Sequence, residues 1–268
     1  MPSSGMIMRF PGSKWYLAKW IISHFPPHRV FVDVFGGSGA IILRKPKSKV
    51  EVFNDIDKEL VNLFKVLIYR KEEFMERARY LPYSRALFEE WVGKYYRLSE
   101  VKDPVERALI YFFIRNVSFS GVPWKGFSVS HTTNRAPTFK RRLEKLEEFV
   151  KRFREVMIEC LDYREVLAKY DSHDTLFYCD PPYLAKDRYY EHEWGLEDWI
   201  TFADNVRRVK GKVCVSSSWF PQLLSLFRGW YYDVKERYVS IGFRRNEPRP
   251  KMKEYLIMNY PGYGKRIG

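Results

Sequence analysis

The stretch Val30-Phe31-Val32-Asp33-Val34-Phe35-Gly36-Gly37-Ser38-Gly39 decides the fold. A short, mostly apolar run ending in a glycine-rich turn reads as a buried strand. A helix over Ala40 to Lys45 follows, then a strand over Lys49 to Phe53 and a helix over residues 57–69. This βαβα order implies a parallel sheet with right-handed crossovers. In open sheets of that kind ligands bind beyond the carboxyl ends of the strands. The glycines stand at that end, where they permit positive φ and close approach of backbone to a ligand.

Outward from this unit the pattern changes and then returns. Residues 14–25 read as an amphipathic helix that stops before Pro26-Pro27. Residues 70–118 carry helical periodicities with almost no strand signal. A stretch bearing Gly, Pro and Trp covers 120–134, and a strongly charged helix is expected over 138–153. The alternation resumes with strands at 156–160, 174–179 and 212–217 and helices at 163–169, 196–209 and 220–227. Two antiparallel strands, 231–239 and 253–259, close the chain around a basic loop. The fold class expected is α/β: a doubly wound, mostly parallel sheet with a mainly helical insertion. The domains expected are 1–68 with 154–268, and the insertion 69–153.

Of the 268 residues, 46% are hydrophobic, enough for a sizeable core, and the formal net charge is +14. Such a balance argues for a polyanionic partner or an anionic surface. The three cysteines are widely spaced, odd in number and set in apolar runs, which suits buried thiols in a reducing compartment. The five histidines are scattered, so no metal site is expected. No signal peptide and no apolar stretch approaching about 18 residues is visible, so a soluble, cytoplasmic protein without a membrane partner is expected.

The segment Phe177-Tyr178-Cys179-Asp180-Pro181-Pro182-Tyr183 carries the chemistry. Proline fixes φ, donates no backbone hydrogen bond and pushes its predecessor into an extended conformation. The strand must stop there in a rigid turn that presents Asp180, free carbonyls and the Tyr183 ring. An acceptor, a carbonyl and an aromatic face suit a flat heterocycle with an amino group, such as adenine. The plain alternative is a proline turn with a solvated aspartate.

A second segment, Asn54-Asp55-Ile56-Asp57, ends the next strand. Asp55 can accept both hydroxyls of a ribose, and Asp57 directly precedes a helix that it can cap. A glycine turn with an acidic residue, but with neither the dinucleotide fingerprint nor a Walker lysine, suits a nucleoside without phosphates. S-adenosylmethionine is the common one. Arg9-Phe10-Pro11-Gly12-Ser13-Lys14 could reach its methionine carboxylate, and Asp162-Tyr163 its adenine. Both also read as the capped start of a helix.

Taken in order, these segments resemble the DNA adenine methyltransferases of the Dam-like class. The match runs from Phe10-Pro11-Gly12-Ser13-Lys14, through the 31–39 loop and Asn54 to Leu60, to Arg115-Asn116-Val117-Ser118-Phe119-Ser120-Gly121. It continues through Asp180 to Tyr183, Lys210 to Ser218 and Glu254 to Tyr260. The chain departs from the family pattern at Pro11-Gly12-Ser13, where a second glycine is usual, and at Val34, where proline is. The resemblance implies a class I methyltransferase fold with an inserted DNA-recognition domain. It implies Asp180, Pro181, Pro182 and Tyr183 as the catalytic segment. Phe10, Lys14, Asp33, Phe35, Gly36, Gly37, Ser38, Gly39, Asp55, Ile56, Asp162, Tyr163 and Asp180 are then expected around S-adenosylmethionine, with no metal. The implied reaction moves a methyl group to the 6-amino group of adenine in duplex DNA. A base hidden in the stack must be flipped out to reach such a site.

From Tyr111 to Arg142 there is no Asp or Glu. Cations for phosphates, polar groups for base edges and an indole for a wedge are together there. Arg115, Asn116, Trp124, Lys125, Asn134, Arg135, Lys140 and Arg141 are expected on DNA, with Arg244 and Arg245 of the tail loop as a second patch. A solvated basic loop is the plain alternative. An RNA adenine methyltransferase, a cytosine amino-methyltransferase, which more often carries Ser-Pro-Pro-Tyr, and a catalytically silent DNA-binding protein stay open at this level. A monomer is expected, and both a solitary enzyme and one with a cognate restriction endonuclease agree with the sequence.

Overall fold

The structure, a computed structural model, describes residues 6–184, 194–238, 251–262 and 264–268. In chain order the elements are α1 (Ala18–Ile22), β1 (Val30–Asp33), α2 (Ala40–Arg44), β2 (Val50–Asn54), α3 (Lys58–Tyr69), α4 (Lys71–Ala78), α5 (Arg85–Tyr95) and α6 (Pro104–Val117). They continue with α7 (Ala136–Glu144), α8 (Leu146–Phe153), β3 (Met157–Glu159), α9 (Tyr163–Tyr170), β4 (Thr175–Cys179), α10 (Leu196–Arg207), β5 (Lys212–Ser218), α11 (Leu223–Leu226), β6 (Tyr231–Tyr238), β7 (Lys251–Met258) and β8 (Lys265–Arg266). The chain divides into two compact units. One holds the residues up to Ala18, Gly36–Lys45 and Asp55–Cys160; the other holds Lys19–Phe35, Pro46–Asn54 and the residues from Leu161 on.

Seven strands of the second unit lie in the order β2-β1-β4-β5-β7-β6-β8. The first four are mutually parallel, with Val30 opposite both Val50 and Thr175, and Leu176 opposite Lys212. β7 runs antiparallel to β5 and to β6, so β6 points as β5 does, and β8 is antiparallel to β6. The mixed, mostly parallel α/β architecture expected from the sequence is therefore present. Alternation along the strands sorts the side chains. Val32, Phe177, Cys179, Val213, Val215 and Ile257 join Trp199 and Phe202 of α10 in one apolar cluster. Asp33, Tyr178, Ser216 and Glu254 fall on the opposite face, at the carboxyl ends of β1, β4 and β5.

The first unit is built on α6, in which Ile110, Phe112, Phe113 and Ile114 are all wholly buried. A helix apolar nearly all round must lie inside its unit. Phe112 meets Phe74 and Phe113 meets Phe139 edge to face, while Phe149 stacks on Phe153 beside Phe64. Asp103 and Asp57 cap α6 and α3, each accepting from backbone N–H groups of the first turn. The charged helix expected over 138–153 is two helices, α7 and α8, with a break at Lys145. The helix expected over 14–25 is regular only in α1. Around it the bonds shorten to three-residue turns, from Leu17 N to Lys14 O and from His24 N to Ile21 O. Among the described residues no helix is long and apolar enough to cross a membrane.

Candidate active site

In the second unit β4 ends at Cys179, and Asp180-Pro181-Pro182-Tyr183 follows it without a helix or strand of its own. Two chains of hydrogen bonds fix this turn. Ser216 Oγ donates to Asp180 Oδ1 at 2.8 Å, and Tyr178 Oη shares a hydrogen bond of 2.8 Å with the same Oγ. Tyr183 Oη donates to Glu254 Oε1, and Arg237 Nε donates to Glu254 Oε2 at 3.0 Å. Burial, reinforced by the negative charges of Glu254 and Asp180, pushes the Tyr183 phenol well above its ordinary pKa, so it stays a donor.

Asn54 ends β2 and ties that end of the sheet together. Its Nδ2 donates to the carbonyls of Val34 and Leu161, and its Oδ1 accepts from Leu161 N. Phe35 and Tyr163 are thereby held in one aromatic wall. The Phe35 ring lies 5.7 Å from Tyr163, 5.6 Å from Trp194 and 5.9 Å from Phe202. Asp33 is buried at the end of β1, opposite Tyr178. Asp162 caps α9, accepting from Arg164 N, and also pairs with the Arg164 side chain, which lowers its pKa. Ser216, Asn54, Trp194, Arg237 and Glu254 were not among the expected site residues. Asn54, Ser216 and Glu254 lie in segments that carry the family resemblance, but their partners follow only from register and tertiary folding; Trp194 and Arg237 lie outside those segments.

In the first unit the glycine turn and the N-terminal segment meet. Gly37 and Gly39 have φ of 50° and 68°, the left-handed region. A Cβ on Gly37 would come within 3.1 Å of the Phe10 ring, and one on Gly39 within 2.5 Å of Phe153, so both positions require glycine. Ser13 and Ser38 share a hydrogen bond of 2.9 Å, and the buried Lys14 donates to Gly12 O at 3.1 Å. Asp55 Oδ2 accepts from Gly37 N at 2.8 Å, and its Oδ1 from Asp57 N at 2.9 Å. Burial pushes Asp55 up to about 6, against those two bonds, which favour the carboxylate. Ile56 beside it is exposed. Asp57 is the cap of α3, as its position suggests, and accepts from Tyr111 Oη at 2.7 Å.

The basic stretch splits into two sets. Trp124, Lys125, Asn134, Lys140 and Arg141 are exposed, and Trp124 stands on a short turn, Pro123–Lys125, inside a loop closed by the antiparallel bridge Ser118–Phe127. Arg115 and Asn116 face inward instead. Arg115 lies over the Phe10, Tyr95 and Tyr111 rings and 3.8 Å from Asp57. Asn116 is 1% exposed, donates to Phe112 O and accepts from Arg142 Nη1 at 2.6 Å. These two side chains brace α6; Asn116 is buried and the Arg115 side chain is only 13% exposed. Arg135 is half-buried at the start of α7. Arg244 and Arg245 lie outside the described residues.

A family model for the D12 class N6 adenine-specific DNA methyltransferases matches residues 10–246. The chain is similar to the DNA adenine methylase of Escherichia coli (strain K12), at 24% identity over 98% of both chains. It is similar to the DNA adenine methylase of Vibrio cholerae at 23% identity over 97% of this chain and 98% of the other, and to that of Serratia marcescens at 26% over 88% and 92%.

Proposed function

Since this chain belongs to the D12 class of N6 adenine-specific DNA methyltransferases, we propose that it takes its methyl group from S-adenosylmethionine and delivers it directly to an adenine extruded from duplex DNA. The donor set in the first unit fits that cofactor. Asp55 supplies an acceptor for the two ribose hydroxyls, the buried Lys14 a cation for the amino-acid carboxylate, and Gly37 a backbone turn with no room for a side chain. When bound, the cofactor supplies an activated methyl on a sulfonium.

The chain's own work is then positioning. Asp180 and the Pro181 carbonyl accept the two hydrogens of the exocyclic amino group. Those bonds localise the nitrogen lone pair and stabilise the positive charge that develops on nitrogen. Tyr183 stacks on the base. The observation that carries this reading is the Ser216 bond to Asp180, which fixes the carboxylate in the rigid proline turn. We assign residues 69–153 to target recognition, with the exposed Trp124, Lys125, Lys140 and Arg141 facing DNA. Radiolabelled transfer from S-adenosylmethionine to duplex DNA, with modified bases mapped by sequencing, tests the reading. Transfer to N6 of adenine at a defined duplex site supports it. Transfer only to matched RNA, or cofactor binding without transfer to any DNA, overturns it.

A further inference from the structure

Glu254 is a wholly buried carboxylate with no part in the proposed chemistry, yet it grips a residue that has one. Its Oε1 accepts from Tyr183 Oη and its Oε2 from Arg237 Nε at 3.0 Å. The three side chains come from distant parts of the chain. Tyr183 follows β4, Arg237 lies on β6, and Glu254 on β7 is opposite Ser218 of β5 and Lys235 of β6. A buried carboxylate is costly unless it is paired and hydrogen-bonded. Here both conditions are met, and the Glu254 side chain is 0% exposed against 25% for Arg237. An apolar residue could fill the same space without that cost. What it could not do is bind a phenol hydroxyl strongly.

We propose that Arg237 and Glu254 are positioning residues for methyl transfer: they clamp the Tyr183 ring as the stacking wall for the extruded adenine. The two prolines fix the backbone end of Tyr183. The hydroxyl is the atom farthest from that backbone, so a bond there fixes the ring plane from its other end. The Arg237 bond to Oε2 holds Glu254 aimed at the phenol. Neither residue touches the base; both act through Tyr183. The proposal rests on the functional reading above, and displacement of a positioning group by about 1 Å can cost about a hundredfold in rate.

The test uses the full chain, duplex DNA and S-adenosylmethionine. Tyr183→Phe removes only the hydroxyl and is expected to lower kcat roughly tenfold, the scale of one charge-assisted hydrogen bond. KM for the methyl donor should stay within about twofold. Glu254→Gln leaves one amide oxygen for two donors, Tyr183 Oη and Arg237 Nε, and with that oxygen drawn to the guanidinium it should lower kcat in the same direction. The double variant should be no slower than the worse single one, because both weaken the same bond. Arg237→Met should lower kcat, and Arg237→Lys should recover much of the loss. Tyr183→Phe turning over at the wild-type rate overturns the clamp, as do single losses that multiply in the double variant. Glu254→Gln that melts earlier but keeps its kcat would also overturn it, since that is what a packing role alone predicts. Should Glu254→Gln fail to fold, Tyr183→Phe paired with Arg237→Met runs the same cycle. A wild-type protein that methylates no adenine sinks the functional reading itself, whereas an active wild type with an unaffected Tyr183→Phe sinks only the clamp.

Discussion

The turn after β4 and the acid-free stretch from Tyr111 to Arg142 both stand out in the sequence, and the structure treats them differently. Asp180 and Tyr183 are held at their tips by Ser216 and Glu254. In the basic stretch, neighbours diverge: Lys140 and Arg141 are exposed, while Asn116 and Arg115 are committed to the interior. Proline and glycine act on the backbone itself, so their spacing fixes geometry wherever they occur. A charge has no such local consequence. Whether it faces water depends on helix phase and on what the rest of the unit offers it.

The sharpest break between the two regions is expected at Asp180. Asp180→Ala should lower methyl transfer by about 100–1,000-fold, the usual cost of removing a group that acts chiefly in the transition state. Cofactor affinity measured by calorimetry should stay within a few-fold. An Asp180→Ala enzyme with near-normal turnover would remove this turn from the chemistry. By contrast, Asn116→Ala should act on stability. It strands the Arg142 guanidinium, whose pKa burial and the charges of Arg9 and Arg135 already bring down to about 10. Leaving such a buried group unsatisfied costs roughly 1–3 kcal/mol. The melting temperature should fall by several degrees, with sequence preference unchanged. A shifted preference at full stability would return Asn116 to the DNA surface.

The same contrast explains what could be read from the sequence. β1, β2, β4 and β5 follow from apolar runs, and the positive φ of Gly37 and Gly39 from their place after β1. The break at Lys145 has no glycine or proline to announce it, so α7 and α8 read as one helix. β8 is two residues long, and its pairing with Tyr231 and Tyr232 is visible only in the folded sheet. Asp57 could be recognised as a cap because it directly precedes its helix. Glu254 could not be linked to Tyr183, because 71 residues separate them.

A smaller effect is expected at Asp55. Burial raises its pKa to about 6 in the folded chain. The folded state thus holds the proton more tightly than the unfolded chain does. The stability this contributes is complete below about pH 4 and is lost as pH rises through about 6. Ligand affinity should run the other way, because ribose hydroxyls need the carboxylate as acceptor. Affinity for S-adenosylmethionine should fall by about tenfold between pH 7 and pH 5, following the ionised fraction. The same titration on Asp55→Asn should show weaker binding without the step. A step that survives in Asp55→Asn assigns the titration to another group.

The smallest effects belong to the exposed half of the basic stretch, and they discriminate most finely. Lys140 and Arg141 are exposed on α7, and Arg141 Nη2 donates to Thr138 Oγ1 of its own helix at 3.1 Å. Cations in such positions suit phosphates, which carry no sequence information. Lys140→Ala should weaken binding to every duplex by a few-fold and reduce the slope of log K against log salt by about one. Its melting temperature should not move, because the side chain is exposed on α7. Trp124 is half exposed on the loop turn, where an indole suits wedging between bases better than pairing with phosphate. Trp124→Ala should therefore slow base extrusion, read from the fluorescence of 2-aminopurine at the target, while leaving the salt slope alone. If Lys140→Ala changes which sequences are methylated and Trp124→Ala changes only the salt slope, the two roles are reversed. If neither substitution changes binding or extrusion, recognition does not run through this stretch, and Arg244 and Arg245 become the residues to test.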